Sequence, residues 1–328
     1  MGCAVQGVET SIGLPVFNGE AFVATAIESI LDQTYADFEL IICDNASSDG
    51  TEEICREFER LDDRVRYVRN KRNIGADPNF NRTLDRAHGR YFKWAAHDDI
   101  LEPTFLERCV TALKQNPTAV LCQSLVRVID ADGRPQGIYD SRLHGTASEQ
   151  ASKRFAAAIL IPHWCTEIFG VIRSDALRAT AQLRGYHHCD RVLLAELALL
   201  GKFIQVPDPL FCNRDHDRRY VRAVHGPMRS HWHDTTPGGG TRFAIWRMLS
   251  DYTAMVPRHV HETAERRHCR LALARWLFVN WNALRLIAEP VSEIDPRLGP
   301  LLGKIKRRTV GAAPSGFRAE RTAGDSPR

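Results

Sequence analysis

The first hundred residues alternate short apolar runs with amphipathic stretches. "TSIGLPV" is a strand-like run ending near Pro15. Asn18 then offers an N-cap to a helix whose apolar face carries Phe22, Ala26, Ile27, Ile30 and Leu31. "FELIICD" is apolar without alternation, the pattern of a strand buried on both sides. Turn and cap residues follow in "NASSDGTEE", then a helix through Ile54, Cys55 and Phe58 and an alternating strand in "VRYVRN". "DPNFNRTLDRA" predicts a helix with proline in its first turn, and "RYFKWAA" a further strand. Such alternation predicts an α/β fold, a Rossmann-like, mostly parallel sheet flanked by helices. Sheets of this kind bind ligands beyond the carboxyl ends of their strands. Pro15 to Asn18, Asp44 with Asn45, Asn70 to Gly75, and Asp98 with Asp99 all fall at such ends.

Past residue 103 the pattern loosens. "TFLERCVTALKQNP" predicts a helix ended by Pro117, and "TAVLCQSLVRVID" a strand ending at the turn "ADGRPQG". "SEQASKRFAAAIL" and "CDRVLLAELALLGKF" read as helices, the second stopped at Gly201. "PDPLFCNRDHDRRY" is extended, and "HDTTPGGGTR" is a loop that lacks the Gly-Lys-Ser/Thr of a phosphate-binding P-loop. Residues 241–288 read as helical. The expected division is a catalytic domain over 1–220, a helical C-terminal extension over 221–302 and a basic, disordered tail over 303–328.

Composition narrows the class. With 328 residues, 44% of them hydrophobic and 26% charged, the chain has the material of an ordinary globular core. Its net charge of +4 is spread rather than striped, which argues against nucleic acid as a partner. Nine cysteines, an odd number without a CxxC pair, argue for free thiols in a reducing compartment. "MGCAVQGVETS" lacks the features of a signal peptide and the Ser or Thr of a myristoylation site. No apolar run is long enough to span a bilayer. The expected location is cytoplasmic, with peripheral contact at the inner face of the membrane as an option.

The chemistry gathers at strand ends. In "WAAHDDILEP", Asp98 and Asp99 adjoin without a compensating charge, as a site for a hard divalent cation would. One carboxylate would take the metal and the other a ribose hydroxyl. Either could instead cap the helix that begins near Pro103. Asp44 in "IICDNASSDGT" belongs to turn-forming sequence, yet its strand end suits contact with a nucleoside. With "LPVFN" before it and "HDD" after it, a joint nucleotide site accounts for the three better than separate turns.

"SIGLPVFNGEAFVATAIESILDQTYADFELIICDNASSDGT", followed by "NIGADPNFNRTLDRAHGRYFKWAAHDD", resembles the family 2 glycosyltransferases of the GT-A fold. The resemblance covers most of residues 10–216. It implies that Pro15, Phe17 and Asp44 line the nucleoside pocket, that Asp98 contacts the ribose and that Asp99 holds Mg²⁺ or Mn²⁺ on the diphosphate. In "HHCDRVLLAELALLGKF" it assigns Asp190 as catalytic base, with Cys189 where family members often carry Glu. In "FCNRDHDRR" it places His216 near the metal and Arg214 near the phosphates. Asn18 and Asn73 join the candidate nucleotide-sugar contacts, beside plainer roles in capping and turning. The implied activity is metal-dependent, inverting transfer from a nucleoside-diphosphate sugar, a UDP-sugar favoured. The implied acceptor is a saccharide or lipid-linked hydroxyl, in bacterial polysaccharide, glycolipid or glycoconjugate synthesis.

Plainer readings stand beside these. Asp190 precedes a helical run and could be its N-cap. A zinc cluster of His187, His188, Cys189 and Asp190 is disfavoured, because adjacent residues rarely point at one ion and no partner pair has ligand spacing. His88, His144 and His163 suit surface or core positions. Trp164 suits either the acceptor side or core packing. In "LALARWLFVNWNALRLIA" one helical face carries Leu273, Leu277, Trp281 and Leu284, opposite Arg275, Asn282 and Arg285. That face would pack on the catalytic domain, or rest on a membrane through residues 270–288. The competing functions are a catalytically silent sugar-nucleotide-binding scaffold and a sugar-phosphate nucleotidyltransferase. The second should show a glycine-rich signature near the start, which "GLPVFNGE" does not supply. A dehydrogenase lacks its GxGxxG.

Overall fold

Seven consecutive buried positions make up each of β1 (Thr10–Val16) and β2 (Phe38–Asp44), as the unbroken apolar runs require. The structure, a computed structural model, describes residues 7–217, 219, 232–235, 243–294 and 316–319. β2 shows why alternation is missing from its sequence. Leu40 and Ile42 belong to the core under α1 (Val23–Leu31), α2 (Thr51–Leu61) and α4 (Phe105–Gln115). Ile41 and Cys43 belong to the opposite core, under α3 (Ala76–Asp85), α5 (Ala151–Leu160) and α7 (Cys189–Leu200). β3 (Val65–Arg69), β2, β1 and β4 (Tyr91–Trp94) lie side by side and all parallel. This is the parallel half that the alternation predicts.

The other half is mixed. β8 (Val171–Arg173) runs antiparallel between β4 and β6 (Ala119–Ile129), and β7 (Pro135–Tyr139) returns as a hairpin on β6. β9 (Lys202–Arg214) pairs parallel with β6 and antiparallel with the short β5 (Ile100–Leu101). β7 and β8 were not legible in sequence. β8 is three residues long, too short for a periodicity to show, and β7 sits in turn-like composition; pairing with β4 and β6 for the first and with β6 for the second makes them strands. β10 (Phe317–Ala319) adds antiparallel to β7, so these residues of the expected disordered tail are ordered strand; the rest of the tail lies outside the described residues. So do the expected boundary near residue 220 and the glycines of "HDTTPGGGTR".

The helices after residue 243 complete one core. α8 (Ala244–His259) and α9 (Thr263–Trp276) insert Tyr252 and Trp276, which meet edge to face at 5.7 Å, and Tyr252 meets Phe155 of α5 likewise at 6.0 Å. The long helix expected across residues 271–288 is broken. α9 ends at Trp276, a 3₁₀ turn spans Val279–Trp281, and α10 (Asn282–Ile294) begins anew. Asn282 Nδ2 donates to the Trp276 carbonyl at 3.0 Å and satisfies the end of α9, while Trp281 has φ of 59°. Asn282 and Arg285 are therefore turned inward rather than set on a polar outer face. Among the described residues no helix is long and apolar enough to cross a membrane.

Candidate active site

The ends of β1, β4 and β9 and the start of α7 enclose a cavity of about 560 Å³. A smaller cavity of about 280 Å³ shares Pro15, Phe17, Phe80, His97 and Trp232 with it and adds Asn45 and Asn73. Of the candidate residues, Pro15, Phe17, Asn18, Asp98, Asp99, Asp190 and His216 line the larger cavity. Asn73 lines the smaller one. Asp44 and Arg214 line neither.

Asp98 and Asp99 are held differently. Asp98 Oδ2 faces His216 Nε2 at 2.8 Å, and Phe22 packs on the His216 ring with centroids 4.8 Å apart. Burial works to raise the Asp98 pKa, but the His216 hydrogen bond and the charge of His97 outweigh it and hold the carboxyl below its ordinary range. Asp99 points into β9. Its oxygens accept from Asn213 Nδ2 at 3.1 and 3.2 Å and from the Arg214 backbone N–H at 2.8 Å. Burial and then the Asp98 charge push its carboxyl up to about 7. Neither caps the following helix, because β5 intervenes and Thr104 precedes α4. The late histidine, which the resemblance placed near the metal, thus partners Asp98.

Asp44 and Arg214 are each held by other groups of the protein. Asp44 is fully buried. Ser47 N–H and Oγ donate to its Oδ1 at 2.8 and 2.6 Å, and Tyr67 Oη and Arg69 Nη1 to its Oδ2 at 2.6 and 3.0 Å. Four donors hold the carboxylate, which shapes the turn after β2. Arg214 is equally committed. Its guanidinium donates to the carbonyls of Asp98, Asp130 and Ala131 at 2.9, 3.4 and 2.8 Å and lies 4.8 Å over the Phe22 ring. It braces the Asp98 loop. Asn18, with φ of 51°, does not cap α1 either. It joins the β1 and β2 loops, donating its N–H to Ser47 Oγ and accepting from the Ser48 N–H, both at 2.9 Å.

Asn73 shares in a chain of carboxamides. Asn45 Nδ2 donates to Asn73 Oδ1 at 2.9 Å, Asn70 Nδ2 donates to Asn45 Oδ1 and Asn79 Oδ1, and Asn79 Nδ2 donates to the Cys43 carbonyl at 2.7 Å. The network fixes the 70–75 loop against the end of β2.

Asp190 is the second residue of α7, whose N-cap position is His188 at φ of 78° without a side-chain cap bond. The N-cap reading of Asp190 is thereby excluded. Its Oδ1 accepts from the Arg191 N–H at 2.7 Å, and burial raises its pKa against the opposing pull of Arg191. Arg191 itself donates to the carbonyls of Ile161 and His163 at 3.3 and 2.6 Å, tying the start of α7 to the loop that carries Trp164 and Cys165. Trp164 stacks on Tyr139 at 4.1 Å and also lines the cavity.

Sequence reasoning missed His97, Phe22 and Arg219, all of which line the larger cavity. Arg219 follows His216 in the basic run "HDRR", the signal that could have flagged it in place of Arg214.

Comparison with known proteins accords with this geometry. EpsE and TuaG of Bacillus subtilis, both provisionally named glycosyltransferases and TuaG assigned to teichuronic acid biosynthesis, are 36% and 35% identical over 112 and 98 residues. Those spans are 34% and 30% of this chain and 40% and 39% of theirs. The chain thus spans about two fifths of the length of these relatives. Among solved structures, S. aureus TarS 1-349 in complex with UDP superposes with a TM-score of 0.59 at 13% identity, covering 82% of this chain and 70% of that one. The mannosyltransferase PcManGT of Pyrobaculum calidifontis, in complex with GDP-Man and Mn²⁺, gives 0.50 at 15% identity, covering 89% and 88%. At such identities the likeness is one of fold, and it is to mixed α/β sheets flanked by helices. The sequence profile described as "Glycosyl transferase family 2" matches residues 11–174, half of the chain. With that match laid over the strand-end cavity, the chain belongs to glycosyltransferase family 2.

Proposed function

We propose that the protein transfers a sugar from a nucleoside-diphosphate sugar to an acceptor hydroxyl, with inversion at the anomeric carbon and with Mg²⁺ or Mn²⁺ as cofactor. The observation that carries this reading is one cavity with the Asp98–His216 pair and Asp190 on its wall. Proteins of similar fold bind such ligands: TarS has been crystallised with UDP and UDP-GlcNAc, PcManGT with GDP-Man and Mn²⁺.

In this reading the nucleoside takes the smaller cavity, which Pro15, Phe17, Asn45 and Asn73 line. The sugar and diphosphate fit the larger one. Asp98 and His216 offer an oxygen and a nitrogen donor side by side, a set that suits an octahedral cation keeping most of its shell for phosphate oxygens and water. Bound there, the cation would offset charge on the departing diphosphate. Asp99 then positions Asp98 through β9, and Arg219 supplies a further positive charge at the cavity wall. Asp190 accepts the proton of the attacking hydroxyl. Its raised pKa keeps it basic enough for that transfer, and the N-terminal turn of α7 favours its ionised form. Direct displacement by that hydroxyl inverts the anomeric centre.

A lipid-linked acceptor is favoured by the surface around α9 and α10. Leu271, Phe278, Trp281, Leu284 and Ile287 are exposed, with Arg267, Arg270 and Arg275 exposed beside them. Residues 266–288 contain no Asp or Glu. Apolar side chains ringed by arginine suit the interface of an anionic bilayer.

A thermal-shift screen of UDP-, GDP- and dTDP-sugars with and without Mn²⁺ tests the donor reading. Stabilisation by one nucleotide class, greater with Mn²⁺, is expected by mass action. No stabilisation by any of them, with or without the ion, would overturn it. Binding without transfer to any hydroxyl acceptor would favour the silent scaffold instead.

A further inference from the structure

Three side chains remote in sequence meet on the wall of the larger cavity: Asp77 in the first turn of α3, Cys189 at the start of α7, and His233. All three are buried, and their donor atoms lie within 4.8 Å of one another. Cys189 Sγ is 2.9 Å from Asp77 Oδ2, and His233 Nδ1 is 3.0 Å from both Asp77 oxygens. Neighbours in the run His187 to Asp190 could not converge on one ion, which argued against zinc from sequence. The fold removes that objection by bringing Asp77 and His233 to Cys189.

We propose that Asp77, Cys189 and His233 bind a divalent cation of the zinc class, at a site separate from the Asp98–His216 pair. Thiolate, imidazole and carboxylate are the donors zinc takes, whereas magnesium does not take sulfur. Zinc bonds of about 2.0–2.3 Å set tetrahedral neighbours roughly 3.3–3.7 Å apart, so the Cys189–Asp77 and His233–Asp77 pairs, at 2.9 and 3.0 Å, need to open by less than about 1 Å. The Gly185 N–H donates to Asp77 Oδ2 at 3.0 Å and orients the carboxylate, as outer groups do in metal sites. Asp77 lies in the first turn of α3 and Cys189 opens α7. Three protein ligands would leave a fourth position open, and all three residues line the same cavity as Asp190. The ion would staple the segment at residues 232–235 to α3 and α7. If no ion binds, the three groups form a hydrogen-bonded cluster and nothing more.

Titration of the metal-stripped full chain with Co²⁺ alone tests this. A thiolate-to-cobalt charge-transfer band saturating at one ion per chain is expected. It should vanish in Cys189→Ser and persist in Asp98→Asn. Losing even an outer partner of a metal ligand weakens binding about 10–100-fold, so His233→Gln should shift half-saturation by at least about tenfold. That variant also decides the matter should Cys189→Ser fail to fold by circular dichroism. No band in the wild type, a band kept in Cys189→Ser, or unchanged half-saturation in His233→Gln would each overturn the proposal. The readout is independent of transfer, so a catalytically inactive preparation still answers it.

Discussion

Asp98 and Asp99 are adjacent in sequence and opposite in environment. Asp98 faces His216 with its carboxyl held low, and Asp99 is locked to Asn213 and the Arg214 N–H with its carboxyl raised to about 7. The two asparagine variants should therefore differ. Asp98→Asn should abolish the Mn²⁺-dependent part of nucleotide binding in calorimetry, while Asp99→Asn should keep most of it. Equal loss in both would return the metal role to Asp99. Asp190→Asn should leave donor binding intact and lower the transfer rate by about 10²–10⁴-fold, the usual share of a general base. Near wild-type turnover would remove it from that role. The residue types at this site were legible in sequence, because a carboxylate adds nothing to the packing of a buried strand and so points to a polar partner. Which way each one faces was not. Asp44 shows the difference: it sits at the expected strand end, yet Ser47, Tyr67 and Arg69 turn it inward.

At the scale of elements, the first four strands and three helices could be read because local pattern and tertiary demand agree. β7 and β8 could not, since pairing with β6 imposes their conformation. Gly75 marks another dependence on packing. It precedes α3 at φ of +91°, and a Cβ there would lie 2.6 Å from the His233 carbonyl oxygen. Gly75→Ala should cost about 1–3 kcal/mol from backbone strain, more with the clash, read from denaturant midpoints. An unchanged midpoint would overturn both the left-handed backbone at Gly75 and the packing of the 232–235 segment against it. The break between α9 and α10 redefines the candidate membrane face. Trp276 is core, so Trp276→Glu should destabilise the fold and says nothing about lipid. Phe278→Glu with Ile287→Glu, both on exposed positions, should instead lose co-sedimentation with anionic liposomes while keeping the melting temperature. Absence of sedimentation by the wild type at low salt would sink the membrane reading.

For the whole molecule, the sheet with its two cores is the frame that holds the site, and one buried charge reports on it. Lys93 of β4 is fully buried, its Nζ donating to the carbonyls of Trp94 and Phe169 at 3.0 and 2.7 Å, over the rings of Phe105 and Phe211. Burial lowers its pKa from 10.5 to about 7. Between those values the unfolded chain holds the proton and the folded one does not, so this group's contribution to stability rises with pH across that window. Below about 7 both states are protonated and the penalty is complete. The melting-temperature difference between Lys93→Met and wild type should therefore move in favour of the wild type from pH 7 to pH 10, about the span of that shift. A constant difference would show that Lys93 is not desolvated as the fold implies.

The parallel half of the sheet and the residue types at the strand ends follow from local periodicity, and the family from motifs written in consecutive residues, so all three are present in the chain before it folds. Which carboxylate meets His216, the burial of Asp44 and Arg214, and the convergence of Asp77, Cys189 and His233 arise on folding. They depend on the direction of side chains from elements as much as 156 residues apart, which no spacing along the chain encodes.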